Sequence, residues 1–376
     1  MTRWFFTPTA VTTCPIHSMP IPSRTDPAPP AAEELADLLD TSSGSDDLYR
    51  RARNVLLENA GDGVYLRGLV EISNHCRKNC FYCGLRRDNR LIERYAMSAD
   101  EIISCLERGY STGLRSFLLQ SGESLGPEHT ELVIDVLNWC SESIPDARMV
   151  LSLGELEPDT LERLRGAGGH RYLLRIETSS PVQYRGMHPS DRLHSYSSRL
   201  AVLEYLRDSG WQTGTGVLIG LPGQTEMDLA EDLLFIREFD VDMIGMGPYI
   251  ENSDTPLYRR KAELRSAEER AELTARMIAL ARILMPTVNI AATTALQTVS
   301  PHGLRKGLSA GANVIMPNLT PTHYRDSYTL YHGKTRVADT LDEILDSLEE
   351  ECSAIGRTLV KGDPGDPLHY SRRMSK

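Results

Sequence analysis

Three cysteines, Cys76, Cys80 and Cys83, share one short segment, Ser73-Asn74-His75-Cys76-Arg77-Lys78-Asn79-Cys80-Phe81-Tyr82-Cys83-Gly84, with the spacing C-x3-C-x2-C. Three thiolates on one loop can take three corners of a 4Fe-4S cubane, and with no fourth cysteine nearby one iron stays open. An open iron can chelate the amino and carboxylate groups of the methionine in S-adenosylmethionine (SAM). One electron from such a cluster cleaves a C–S bond and gives a 5′-deoxyadenosyl radical; the protein's share is to orient and shield that chemistry. The other reading of the loop is a zinc site that adds His75 or a remote ligand. Zinc sites favour paired C-x2-C units, and a second pair is missing here. The aromatic Tyr82 beside the last cysteine and the position just after a strand-like run favour the iron–sulfur reading. Arg77 and Lys78 bring positive charge beside an anionic cluster, although a solvated loop would carry the same residues.

The elements around this loop must position it. From about Val64 the chain alternates strand-like runs (VYLRGLVEIS, SFLLQ, RMVLSLG, RYLLRIET, TGTGVLIG, MIGMGPYI, NIAATTAL, NVIMPNL) with amphipathic helical stretches such as ADEIISCLERGY, TELVIDVLNWCSE and Ala267 to Leu284. Eight βα units imply an α/β fold with a parallel sheet, closed as a (βα)8 TIM-type barrel with chemistry at the C-terminal strand ends. Those ends carry Gln120, Ser121 and Glu123; Ser152 and Glu155; Arg175 and Glu177; Thr293 and Thr294; and Met316. Polar residues therefore converge on one mouth. Ahead of the barrel, residues 31–61 hold two short helical patterns and residues 1–30, rich in Pro, Thr, Ser and Ala, read as a disordered tail and a poor signal peptide. The barrel is expected over 62–335 and a C-terminal helical extension over 336–376.

Composition narrows the class further. The chain has 376 residues, 41 Lys plus Arg against 52 Asp plus Glu, and a net charge of −11, so it offers no basic footprint for nucleic acid. No apolar run is long enough to span a membrane. Seven cysteines, an odd number with one tight cluster, suit a cytoplasmic metal site rather than a secreted disulfide framework. Cys105 and Cys140 fall in helical patterns, where a free cysteine packs as a small hydrophobe.

At the cysteine loop the sequence resembles the radical SAM superfamily and, within it, the FeFe-hydrogenase maturases of the HydE type. The matching stretches are ISNHCRKNCFYCGLRRDN, ERYAMSADEI, LLQSGE, LSLGE, YLLRIET, GTGVLIGLPGQT, IGMGPYI, AATTAL, GANVIMPN and TPTHYRDSYTLYHGK, from about Tyr65 to Lys334. The resemblance implies one 4Fe-4S cluster on Cys76, Cys80 and Cys83, and SAM as cofactor. Tyr82 would lie near the adenine. Gln120, Ser121 and Glu123 match the family's second-strand SAM-binding segment, Glu177 would bind SAM, and Arg199 would pair with its carboxylate. Arg175, Thr293, Thr294, Met316, Tyr324, Tyr328 and Tyr331 would line the inner cavity. The substrate implied is a small iron–cysteine species carrying CO and cyanide. HydG would supply it, HydF would accept the product, and an electron donor would feed the cluster. Two departures stand out. Ile176 replaces the family's usual His, and only Cys352 lies where some members build a second C-terminal cluster from three cysteines.

Several residues admit a plainer reading. Arg175, in an apolar strand pattern, is either ion-paired with Glu177 or Glu155 or awaits an anionic ligand. Glu155 and Ser152 at the third strand end bind a ligand, or Glu155 serves the helix start EPDTLE. Thr293 and Thr294 hold an anion or satisfy backbone groups, and the tyrosines after Pro321 contact substrate or close the barrel by packing. The rival enzyme is a lysine mutase like methylornithine synthase, which needs acceptors for ammonium groups. The rival of another class is a metal-binding scaffold, which leaves the polar strand ends unexplained.

Overall fold

A computed structural model describes residues 30–124, 126–331 and 340–375. The tail expectation for residues 1–29 and the barrel boundary near 335 lie outside the described residues. The strands are all parallel. β1 runs as Gly63–Leu66 and, past Arg67, Gly68–Ser73; then follow β2 (Ser116–Ser121), β3 (Arg148–Ser152), β4 (Gly169–Leu173), β5 (Gln212–Thr215), β6 (Met243–Ile244), β7 (Asn289–Ala292) and β8 (Val314–Ile315). β1 pairs with β2 on one side and with β8 on the other. Leu69 continues the second seam, its N–H donating to Pro317 O at 2.8 Å and its carbonyl accepting from Leu319 N at 2.7 Å. The sheet therefore closes on itself as an eight-stranded barrel.

Local sequence explains the crossovers. Ser98 with Glu101, Thr225 with Asp228, and Ser266 with Glu269 form capping boxes that start the helices Ala99–Ser111, Glu226–Phe239 and Ala267–Leu284. The helices Ala32–Leu39 and Asp46–Ala60 pack on the last two of these. Inside the barrel, Leu69, Leu118, Val150 and Met243 form an apolar layer with Met316 against it. Below that layer, fully buried Arg171 bonds Asp366 at 2.7 Å and Pro364 O at 3.0 Å, so the C-terminal tail seals the end away from the cysteines.

Four strand readings change. β4 stops at Leu173, so Arg175 lies beyond the strand rather than within it. β7 stops at Ala292, and Thr294 opens a short helix, Thr294–Val299, with Thr293 as its N-cap residue. The TGTGVLIG and MIGMGPYI runs each break after the barrel strand, and their ends pair separately as Leu218–Ile219 with Gly247–Pro248. The C-terminal segment, read as helical, holds the helices Leu341–Ser353 and Leu368–Met374 but also β9 (Thr358–Val360), which pairs with the first half of β1.

Candidate active site

The cysteine loop leaves β1 and folds across the barrel mouth. Its approach to the β2 end depends on Gly122, where a Cβ would come within 2.3 Å of His75 O and 2.8 Å of Cys76 Cβ. Gly122 N donates to Ser73 O at 3.0 Å, and Arg77 N donates to Glu123 O at 2.8 Å. On the far side Gly84 N donates to Leu330 O at 2.9 Å, which ties the loop to the tyrosine-rich segment.

Beneath the loop lies a cavity of about 280 Å³, a size for a small molecule rather than a polymer. Cys76, Cys80, Cys83, Tyr82, Gln120, Ser121, Glu123, Ser152, Arg175, Glu177, Arg199, Thr293, Tyr328 and Tyr331 all line it. The structure thus brings together most of the residues singled out in the sequence. Three it does not. Tyr324 points away, donating to Glu101 Oε1 at 2.9 Å and stacking on Tyr95 at 4.5 Å, because the short helix Thr322–Arg325 turns it outward. Met316 packs on the apolar layer below the cavity. Thr294 lies past the N-cap, and Thr293 alone of the pair lines the cavity.

The polar wall is a chain of buried charges. Glu123 receives Arg77 Nε at 2.6 Å and Glu155 N at 2.8 Å. Lys78 Nζ lies 2.9 Å from Glu155 Oε1 and 3.6 Å from Glu123 Oε1. Arg199 Nε donates to Glu155 Oε1 at 2.7 Å and its Nη1 to Arg175 O at 2.8 Å. Lys78, at 3% exposure, is therefore no solvated loop residue. Glu155 does not cap the helix Pro158–Gly166, whose N-cap residue is Glu157; it holds Lys78 and Arg199 together. Gly154, at φ +87°, is required here, since a Cβ would meet Glu123 Cγ at 2.4 Å.

On the facing wall Arg175 Nη2 donates to Val217 O at 2.7 Å and lies 3.1 Å from Glu177 Oε2. The ion-pair reading of Arg175 is thus realised with Glu177, and with its side chain 30% exposed the burial cost argued from the sequence is smaller than expected. Three atoms in this wall stay without a hydrogen bond: Arg175 Nε, Glu177 Oε2 and Thr293 Oγ1. Glu177 also adopts φ +70°, one of two non-glycine residues in the left-handed region among the described residues. Strained, unsatisfied groups facing a cavity mark a place for a ligand.

The thiols are free, and burial pushes all three up: Cys80 to about 12, with Cys76 and Cys83 shifted the same way. A metal must displace those protons to bind thiolate. Among the described residues no three Cys, His, Asp or Glu side chains gather as one ion would require, whereas a cubane presents a separate iron to each thiolate. His75, the imidazole a zinc site would recruit, is exposed. The three thiols, the adjoining Arg and Glu with unfilled hydrogen bonds, and the aromatic Tyr82 fit a cluster that chelates SAM.

The sequence missed part of the lining. Leu85, Leu218, Tyr249, Ile250 and Leu330 complete the cavity wall. Tyr249 and Leu218 also pack with Met187, Leu221 and Leu257 against Phe81 and Tyr82, forming a small apolar cluster beside the cysteine loop. For Leu218, Tyr249 and Ile250 the only signal was their place at or just past strand ends, and Leu85 and Leu330 carried none.

Comparison with known proteins agrees with this geometry. The family model described as the Radical SAM superfamily matches residues 70–236. The [FeFe] hydrogenase maturase subunit HydE of Thermotoga maritima is 43% identical over 288 residues, 76% of this chain and 79% of that protein. Among solved structures, methylornithine synthase (PylB) aligns with a TM-score of 0.72 at 22% identity, over 88% of this chain and 94% of that one. The FeFe-hydrogenase maturase HydG of Carboxydothermus hydrogenoformans aligns at 0.71 with 21% identity, over 85% and 74%. At such identities these two speak for the fold alone. A closed parallel barrel carrying this cysteine loop at its mouth defines a radical SAM enzyme, for which the superfamily implies a 4Fe-4S cluster and SAM. Within that superfamily the chain belongs to the HydE family of FeFe-hydrogenase maturases.

Proposed function

We propose that this enzyme matures the active-site cluster of FeFe-hydrogenase by acting on a small iron species carrying CO, cyanide and cysteine. The observation that carries the reading is the cavity wall below the cysteines, where Arg175 Nε and Thr293 Oγ1 offer unfilled donors to a small electron-rich ligand. A lysine substrate would instead ask that wall for acceptors for two ammonium groups.

One 4Fe-4S cluster on Cys76, Cys80 and Cys83, with SAM, supplies a 5′-deoxyadenosyl radical when both are bound. The chain's own residues do the rest. Tyr82 would hold the adenine, and Gln120, Ser121, Glu123 and Ser152 would hold the rest of SAM along the mouth. Glu177, ion-paired with Arg175 at 3.1 Å, would offer its carboxylate to the methionine ammonium as well. Arg199, fixed by Glu155 and by Arg175 O, would pair with the methionine carboxylate. Arg175, Thr293, Tyr328 and Tyr331 hold the substrate end. Tyr328 takes a hydrogen bond from Gln120 Nε2 at 3.1 Å, which couples the two ends of the site. Leu85, Leu218, Ile250 and Tyr249 keep water from the reacting atoms. The same reading makes HydG the supplier of substrate and HydF the acceptor of product, and places the chain in the cytoplasm.

The test is in vitro maturation under anaerobic conditions, with apo-hydrogenase, HydG, HydF and this chain. Hydrogen evolution that requires the chain and is lost with Cys80→Ala supports the reading. Failure to activate, with lysine accelerating SAM cleavage to a rearranged amino acid, would assign the chain to the mutase chemistry instead.

A further inference from the structure

Arg94 ties the two ends of the cysteine loop together. Its Nη1 donates to Asn74 O at 2.5 Å, ahead of Cys76, and to Leu85 O at 2.9 Å, past Cys83. Its Nη2 donates to Arg86 O at 2.7 Å and to Asn89 O at 3.2 Å. The buried side-chain amide of Asn74 grips the chain on either side of Arg94, accepting from Tyr95 N at 2.8 Å and donating to Glu93 O at 2.7 Å. The guanidinium is thereby fixed in place with four backbone carbonyls as its partners.

A guanidinium keeps its charge in any protein. Neutral carbonyls satisfy its donors but do not cancel that charge, and among the described residues no carboxylate pairs with Arg94. The cations within and behind the loop differ. Arg77 is paired with Glu123, and Lys78 and Arg199 share Glu155. The anions that act on Arg94 are the cluster ligands themselves: burial pulls its pKa down, and Cys76 and Cys83 push it back up. The coupling runs the other way too, since burial raises the pKa of Cys76 while Arg94 draws that group toward thiolate.

The potential of an iron–sulfur centre follows its net charge and the charges and hydrogen bonds around it. Reduction adds one electron to the cluster from an outside reductant, with no bond made or broken, and the charge of Arg94 stays as it was. A fixed cation nearby therefore stabilises the reduced state more than the oxidised one.

We propose that Arg94 is the counter-charge that raises the reduction potential of the cluster held by Cys76, Cys80 and Cys83; this rests on the radical SAM reading. A plain structural tie would show the same four hydrogen bonds but would leave the potential indifferent to charge, and that difference is what a test must read.

The experiment compares wild type, R94K and R94Q, each reconstituted anaerobically and titrated with dithionite and redox mediators in the absence of SAM. The midpoint is read from the visible absorbance and from the electron paramagnetic resonance of the reduced cluster. R94K keeps the charge with a different set of donors, and R94Q keeps a donor without the charge. At the wild-type midpoint R94Q should show a ~tenfold lower ratio of reduced to oxidised cluster, a downward shift of about 59 mV for one electron, while R94K should stay within ~threefold of wild type. An R94Q midpoint equal to that of wild type would overturn the proposal. So would an R94K midpoint shifted as far as that of R94Q, because loop geometry rather than charge would then set the potential. If R94Q takes up no cluster, R94K decides: uptake with the wild-type midpoint supports the proposal, and loss of uptake in both variants overturns it in favour of the structural tie. A wild-type chain that took up no cluster would refute the radical SAM reading itself, and the proposal with it.

Discussion

Arg199 Nε lies 2.7 Å from Glu155 Oε1, with both side chains less than a tenth exposed. The same carboxylate oxygen lies 2.9 Å from Lys78 Nζ, so one anion joins the helix Tyr196–Asp208 to the cysteine loop. Removing it leaves two buried cations facing each other. Glu155→Ala should therefore cost about 3–5 kcal/mol in denaturant unfolding of the cluster-free chain. A loss below about 1 kcal/mol would mean that water reaches the pair and that the bridge is not structural.

Glu177 stands in the left-handed region at φ +70°, where a side chain costs about 1–2 kcal/mol and glycine costs little. Glu177→Gly relieves that strain at the expense of a floppier unfolded chain, so the melting temperature should hardly move. SAM affinity, measured by equilibrium dialysis on cluster-loaded protein, should fall at least ~tenfold, because a charged partner is lost from a partly desolvated site. A variant that binds SAM as wild type does would show that the strain serves packing.

Asp232 supports the same region from behind. Its Oδ1 accepts from Ser179 N at 2.6 Å and Ser179 Oγ at 2.7 Å, while its Oδ2 has no partner. Burial raises its pKa from 3.8 to about 7, against the lowering effect of those hydrogen bonds. The folded state thus holds a proton that the unfolded state releases near pH 4. This contribution to stability is complete below pH 4 and is lost as pH rises through about 7. Asp232→Asn should flatten the stability profile between pH 4 and 8 and leave the protein at least as stable at pH 8. An unchanged pH profile in the variant would contradict the assignment.

The barrel was legible because each strand run, bounded by turn residues, alternates with an amphipathic helix. The cysteine loop was legible because ligand spacing is a local property. Tyr324 and Met316 were placed in the cavity wrongly for one reason: proximity in sequence to a strand end does not say which way a short helix or a strand residue faces. Lys78 was unreadable for the opposite reason. Only the fold brings Glu123 and Glu155 to it, from 45 and 77 residues further along the chain. The break of β4 after Leu173 was hidden because Leu174 and Ile176 continue the buried apolar pattern, and Leu174 N still donates to Gly214 O of β5 at 3.0 Å.

Cys352 is fully buried in the core on the helix Leu341–Ser353, packed as a hydrophobe. Cys352→Ala should leave iron content unchanged and cost about 1 kcal/mol or so of stability through a small cavity. Alanine at Cys76, Cys80 or Cys83 should abolish the visible absorbance of the reconstituted protein. Iron lost on changing Cys352 would mean a second site.

The most direct test is anaerobic reconstitution followed by SAM and dithionite. The account predicts about four irons per chain, as one 4Fe-4S centre requires, and 5′-deoxyadenosine formed only when all three loop cysteines are present. Tight binding of one zinc per chain, with no 5′-deoxyadenosine under any reductant, would contradict it.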